Sequence, residues 1–169
     1  MEDAVRTEYL RDSAATLRKY KELADQSLAR VNDPQFFATL DAESNSLAVM
    51  VKHMAGNLLS RWTDLLTTDG EKPDRDRDAE FEITSSDTRA GLMRRWEAGW
   101  ACAFDSLDAL SPADLDRTIR IRDEPHTLVQ AINRQMAHAA YHAGQIVFLA
   151  KHLQSDSWES LSIPRRPRA

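Results

Sequence analysis

TLVQAINRQMAHAAYHAGQIVFLAKHLQ, from Thr127 to Gln154, decides the fold, because it reads as one long helix with a defined start. Thr127-Leu128-Val129-Gln130 forms a capping box, in which the threonine and glutamine side chains satisfy backbone N–H groups left over at the first turn. The segment is apolar nearly all round, which predicts a central helix. His138 and His142 lie four residues apart and therefore share one face, one above the other. The same stripe carries Arg134, Gln135 and Gln145, whereas Ile132, Met136, Ala143 and Val147 point away from it. Polar groups on the face of a buried helix need partners, which either a metal ion with its water or a hydrogen-bond network can supply.

Working outward, Val5, Tyr9, Leu10, Leu17, Tyr20, Leu23 and Leu28 recur at helical spacing and predict a first helix from Glu2 to about Val31. Asn32-Asp33-Pro34 supplies turn chemistry, and Phe36, Phe37 and Leu40 form an apolar stretch expected to pack under the bundle. Ser44-Asn45 is expected to cap a second helix that runs to about Leu66. On it Ser46, His53, Asn57, Ser60 and Asp64 fall along one polar stripe, with Trp62 opposite.

The stretch EKPDRDRDAEFE, residues 71–82, is dense in charge and reads as a long, mobile loop. Asp87-Thr88 caps a third helix to about Leu110, with Leu92, Trp96, Trp100, Phe104 and Leu107 as its apolar face. Ser111-Pro112-Ala113-Asp114 starts a short helix, and Ile119-Arg120-Ile121-Arg122 reads as an extended link. The tail is expected to be extended from about residue 155, as a strap or a frayed end, with Arg165, Arg166 and Arg168 as a solvated basic tip. These elements predict an all-α chain, a four-helix bundle in one domain over residues 1–169, with a long charged loop between its second and third helices.

Composition narrows the possible functions. The formal charge of −5, with both signs interspersed, provides no broad field for nucleic acid or an anionic membrane. No apolar run approaches the ~20 residues of a membrane span, and the amino terminus lacks the order of a secretory signal, so a cytoplasmic location is expected. Cys102 is the single cysteine, which excludes an intramolecular disulfide and a multi-cysteine zinc site, and a lone helical cysteine reads as packing. Trp62, Trp96 and Trp100 likewise read as core.

The histidine pair has the spacing of the zincin motif, but Ala139 stands where that motif needs glutamate. A di-iron carboxylate centre is disfavoured too, since Met50, Gln135 and Ala139 occupy the positions three before the histidines. His126 precedes the last helix and His152 lies about 15 Å along it from His142, so neither reaches the same ion. His53 joins the pair only if its helix faces theirs, which periodicity alone does not decide. The alternative is that these are hydrogen-bonded core histidines.

Three stretches resemble the DinB-like (YfiT-like) superfamily, specifically a bacterial subfamily of largely undefined function. They are NSLAVMVKHMAGNLLSRWTDLLTTDGEKP (Asn45 to Pro73), HTLVQAINRQMAHAAYHAGQIVFLAKHL (His126 to Leu153) and WESLSIP (Trp158 to Pro164). The resemblance implies a metal site built from one histidine on the second helix and a pair on the last, here His53, His138 and His142, holding zinc, nickel or a related divalent ion. It also implies a homodimer and, from related branches, enzymes that use low-molecular-weight thiols.

Three neutral imidazoles leave coordination positions open, as a catalytic ion requires. The leading expectation is a metal-dependent enzyme, a thiol S-transferase or a hydrolase, acting on a small molecule with a thiol cosubstrate. Asn57, Arg134 and Gln145 are candidate groups around the ion, and no catalytic acid or base is evident. The alternative is a non-enzymatic metal-binding protein with a structural or stress-response role.

Overall fold

The computed structural model describes residues 2–163. The chain is mostly helical: α1 (Glu2–Leu28), α2 (Asp33–Phe37), α3 (Leu47–Trp62), α4 (Arg89–Asp108) and α5 (Leu128–Gln154), with one two-stranded sheet of β1 (Thr118–Ile121) and β2 (Glu124–Thr127). The long helices pair α3 with α4 and α1 with α5, and further contacts of α3 with α5 and of α1 with α4 join the two pairs. The tail residues 164–169, including the basic tip, lie outside the described residues.

The helix starts follow their caps. Ser46, Thr88 and Thr127 each accept a hydrogen bond from a backbone N–H of the first turn, the last within the predicted capping box. α3 thus begins two residues later than Ser44-Asn45 suggests, and it ends at Trp62 rather than near Leu66 because Asp64 turns into the left-handed region at φ 49°. The end of α1 has no basic residue of its own, so Arg89 reaches across to the carbonyls of Leu28 and Val31 at 2.7 and 2.8 Å.

The central helix is α3, not α5. Fourteen of the 16 residues of α3 are buried, against ten of the 27 in α5, where Tyr141 and Phe148 are 63% and 66% exposed. The many alanines of α5 read as core by hydropathy, yet small side chains cover little area and suit a helix with one face open. α3 and α4 pack closely because Gly99 has no side chain: a Cβ there would sit 3.0 Å from the Ala55 carbonyl.

Trp62, Trp96 and Trp100 are fully buried, and Trp96 donates to Asp25 Oδ1 at 2.8 Å, tying α4 to α1. Phe36 is fully buried as expected, whereas Leu40 is 46% exposed. Cys102 is a half-buried free thiol beside Thr63.

Two segments are more ordered than the sequence suggests. The expected extended link is half of a hairpin, in which Ile121 faces Glu124 and Arg122 and Asp123 form the turn at φ 57° and 62°. Two successive left-handed residues are what a tight two-residue hairpin demands, and the Asp69 carboxylate pins them by accepting from both backbone N–H groups at 2.8 Å. After α5 the chain makes a single 3-10 turn, Ser155–Ser157, before Trp158 tucks beneath Arg30, so the strap begins later than residue 155. No helix among the described residues is long and apolar enough to cross a membrane.

Candidate metal centre

His53 on α3 and the pair His138 and His142 on α5 converge, with one ligand atom from each within 4.8 Å of the others. The Nε2 of His138 lies 3.2 Å from that of His53 and 3.1 Å from that of His142. A ring nitrogen has one in-plane position, filled either by a proton or by a lone pair. His138 Nε2 therefore cannot satisfy both contacts by hydrogen bonding. A cation among the three satisfies every lone pair at once, and bonds of about 2.0–2.1 Å to a shared ion place nitrogens at about this separation.

The two rings on α5 are also held neutral at ordinary pH. Burial, then the neighbouring charges of His142 and His53, pushes His138 down to about 3. Burial and His53 lower His142 to about 4, with Gln145 acting in the other direction. Neutral imidazoles are the form that ligates a metal.

The structure adds a residue that the sequence pattern did not reveal. His53 Nδ1 donates to Glu80 Oε2 at 2.9 Å, which in the neutral ring leaves Nε2 as the lone pair, on the side of the cluster. Burial would raise the Glu80 carboxyl, but hydrogen bonds from Arg75 and His53 outweigh that and hold it below the ordinary value. Arg75 grips both Glu80 oxygens at 2.8 Å through Nε and Nη2, and its Nη1 reaches Glu71.

Glu80 belongs to a short 3-10 turn, Asp78–Phe81, within the charged stretch expected to be a mobile loop. That stretch instead covers His53, with the Phe81 ring 4.7 Å from the imidazole. Gly56 makes room for it, since a Cβ there would lie 2.1 Å from Glu80 Oε1. Glu80 stands 27 residues from His53, and no periodicity links them. The one available signal was Phe81, an aromatic residue in an otherwise charged run.

The other expected residues divide. Asn57 and Arg134 line a cavity of about 230 Å³ that opens onto His53 and His138, whereas Gln145 does not line it. Gln145 stands three residues from His142 on α5, and its Oε1 and the His142 Nδ1 are both buried without a hydrogen-bond partner. His126 and His152 stay out of the cluster, as expected. A larger cleft of about 710 Å³ lies beside Lys52, Lys72 and Arg95, but none of the three histidines lines it. The smaller cavity is the one placed for chemistry at the cluster.

No curated protein and no solved structure matches the chain. A family match covers residues 4–167, nearly the whole sequence and all three histidines. The chain belongs to the family described as "Protein of unknown function (DUF1572)".

Proposed function

We propose that the protein binds one divalent metal ion, zinc or nickel, through His53, His138 and His142, and that it is a metal-dependent enzyme of the DinB-like four-helix type. The observation that carries this reading is the meeting of three Nε2 atoms at which the single in-plane position of His138 Nε2 cannot serve both neighbours by hydrogen bonding. When bound, such an ion supplies Lewis acidity and favours the deprotonated form of a coordinated thiol or water. The chain's own residues prepare for it: Glu80 fixes the His53 tautomer, burial keeps His138 and His142 unprotonated, and the cavity leaves one side of the cluster open to a small molecule.

An open side favours an enzyme over a closed structural site. The finer reading, transfer to or from a low-molecular-weight thiol, rests on the resemblance to thiol-using branches of the superfamily. Cys102 is not that thiol, since it lies beside Thr63 and does not line the cavity, so a cosubstrate would bring it. A homodimer is supported by the exposed Tyr141 and Phe148 on α5, and a cytoplasmic setting by the unpaired cysteine.

Elemental analysis of freshly purified protein tests the metal site. About one zinc or nickel per chain is expected, with chelation lowering the melting temperature and His138→Ala abolishing retention. Metal-free protein whose melting temperature ignores both chelator and added metal would refute it.

A further inference from the structure

The cavity beside the histidines is lined by Arg61, Arg75, Arg77, Arg122 and Arg134, and no carboxylate lines it. Such a wall is unusual in a chain of net charge −5. Arg75 is committed to Glu80 and Glu71, and Arg77 lies over the Phe81 ring. Arg61 is different. It is 6% exposed, its nearest carboxylate oxygen is on Glu71 at 3.9 Å, and its Nη1 is buried with no hydrogen-bond partner.

Burial, followed by repulsion from Arg134, lowers Arg61 to about 10, which still leaves it charged at neutral pH. A buried guanidinium whose one carboxylate neighbour lies at 3.9 Å and whose Nη1 has no partner is costly to a fold and signals a missing anion. Two neighbours share its condition: Gln135, 3% exposed, has an unpartnered Nε2, and Asn57, 7% exposed, an unpartnered Oδ1. At the more exposed side, Arg134 makes no ion pair with any described residue. Arg122 is carried on a left-handed turn position, φ 57°, that glycine or asparagine would occupy with less strain.

We propose that this cavity binds the carboxylate of a small organic acid, held by Arg61 and Gln135 with Arg122 and Arg134 nearby, while the other end of the molecule reaches His53 and His138. The inference deepens the metal-enzyme reading and rests on it for the identity of that far end. Two deep unpartnered donors, Arg61 Nη1 and Gln135 Nε2, match the two oxygens of a carboxylate. Asn57 Oδ1 is an acceptor and calls for a hydroxyl or N–H on the same acid. A volume of about 230 Å³ is below the ~300 Å³ at which drug-sized pockets begin, so the acid is short.

The test compares 3-mercaptopropionate with 2-mercaptoethanol, which share a thiol and differ in the carboxylate, by isothermal titration of zinc-loaded protein whose metal content is measured. The carboxylate compound is expected to bind about tenfold tighter or more, the scale of a charge-assisted hydrogen bond. In Arg61→Met that preference is expected to vanish with zinc content unchanged, and in Arg134→Gln to fall several-fold. If Arg61→Met does not fold, the exposed Arg134→Gln decides. Equal binding of the two thiols by the parent, or a preference that survives both variants, overturns the proposal. If neither zinc nor nickel is retained, the metal reading fails on its own. The subsite is then judged on metal-free protein with propionate against propanamide: selective binding of propionate supports it, and equal binding overturns it. Inorganic phosphate binding more tightly than propionate would overturn the assignment to a carboxylate.

Discussion

Glu80 Oε2 accepts the Nδ1 proton of His53 at 2.9 Å, so a carboxylate from the connection between α3 and α4 orients a ring on the most buried helix of the protein. Groups of this kind behind a metal-bound histidine typically matter by a factor of about 10–100 in affinity. Glu80→Ala is therefore expected to weaken zinc binding by about that factor in a chelator competition, with the three histidines intact. Affinity equal to the parent's would show that Glu80 does not orient the ligand.

Gly56→Ala tests the same contact from the other side. Alanine is the better helix former by about 1 kcal/mol, yet its Cβ would meet Glu80 Oε1 at 2.1 Å. Overpacking of this type costs about 1–3 kcal/mol, so the variant is expected to be less stable to urea than the parent and to bind zinc more weakly. A gain in stability would mean that Glu80 moves aside freely.

The metal-free protein should lose stability on mild acidification. His138 and His142 are lowered in the folded state to about 3 and about 4, while in the unfolded chain they titrate at the ordinary value of 6.5. Between those limits the unfolded state binds more protons, so unfolding free energy rises with pH up to about 6.5 and is then flat with respect to these groups. Urea midpoints measured from pH 4.5 to 8 check this. In His138→Ala/His142→Ala the slope below pH 6.5 should flatten, and a slope unchanged by the double substitution would locate the effect elsewhere.

Asp69→Ala removes the acceptor for the backbone N–H groups of Arg122 and Asp123. The turn lies at the surface, so water can replace part of that bonding, and a loss of about 1–2 kcal/mol is expected by thermal unfolding. A melting temperature unchanged from the parent would mean that the left-handed turn holds itself.

The proposed homodimer is expected to use the open face of α5. The parent should sediment at twice the chain mass of 19.2 kDa, and Phe148→Glu should sediment as a monomer with its helical content retained. A monomeric parent at micromolar concentration would refute the dimer.

The legible parts of the sequence were those in which neighbouring residues decide the outcome. Thr127 and Gln130 announce the start of α5, and the four-residue step from His138 to His142 places both rings on one face, because helical geometry is local. Whether His53 faces them depends on how α3 packs against α5, and its place in the ligand set came from resemblance. The most buried helix was misjudged for a related reason. Alanine counts as apolar whether or not anything covers it, so α5 read as central while α3 takes that position.

Glu80 was missed because its partner His53 lies 27 residues away, Arg75 because its role depends on that of Glu80, and Arg61 because the cavity it lines is assembled from distant segments. A charged run reads as solvated unless its partners are known, and those of the 71–82 stretch lie on α3 and on the hairpin. The hairpin was underestimated because Asp69, which stabilises its turn, is 53 residues from Arg122.

The Arg75–Glu80 pair has a consequence for how such a protein can diversify. The three histidines sit on the long helices α3 and α5, but the groups that hold His53 come from a connecting segment outside them. Replacing that segment would change the electronic character of the centre and the walls of its entrance while leaving the ligand set in place. On the proposed metal-enzyme reading, a lineage changes the substrate it accepts by editing a single stretch between two helices.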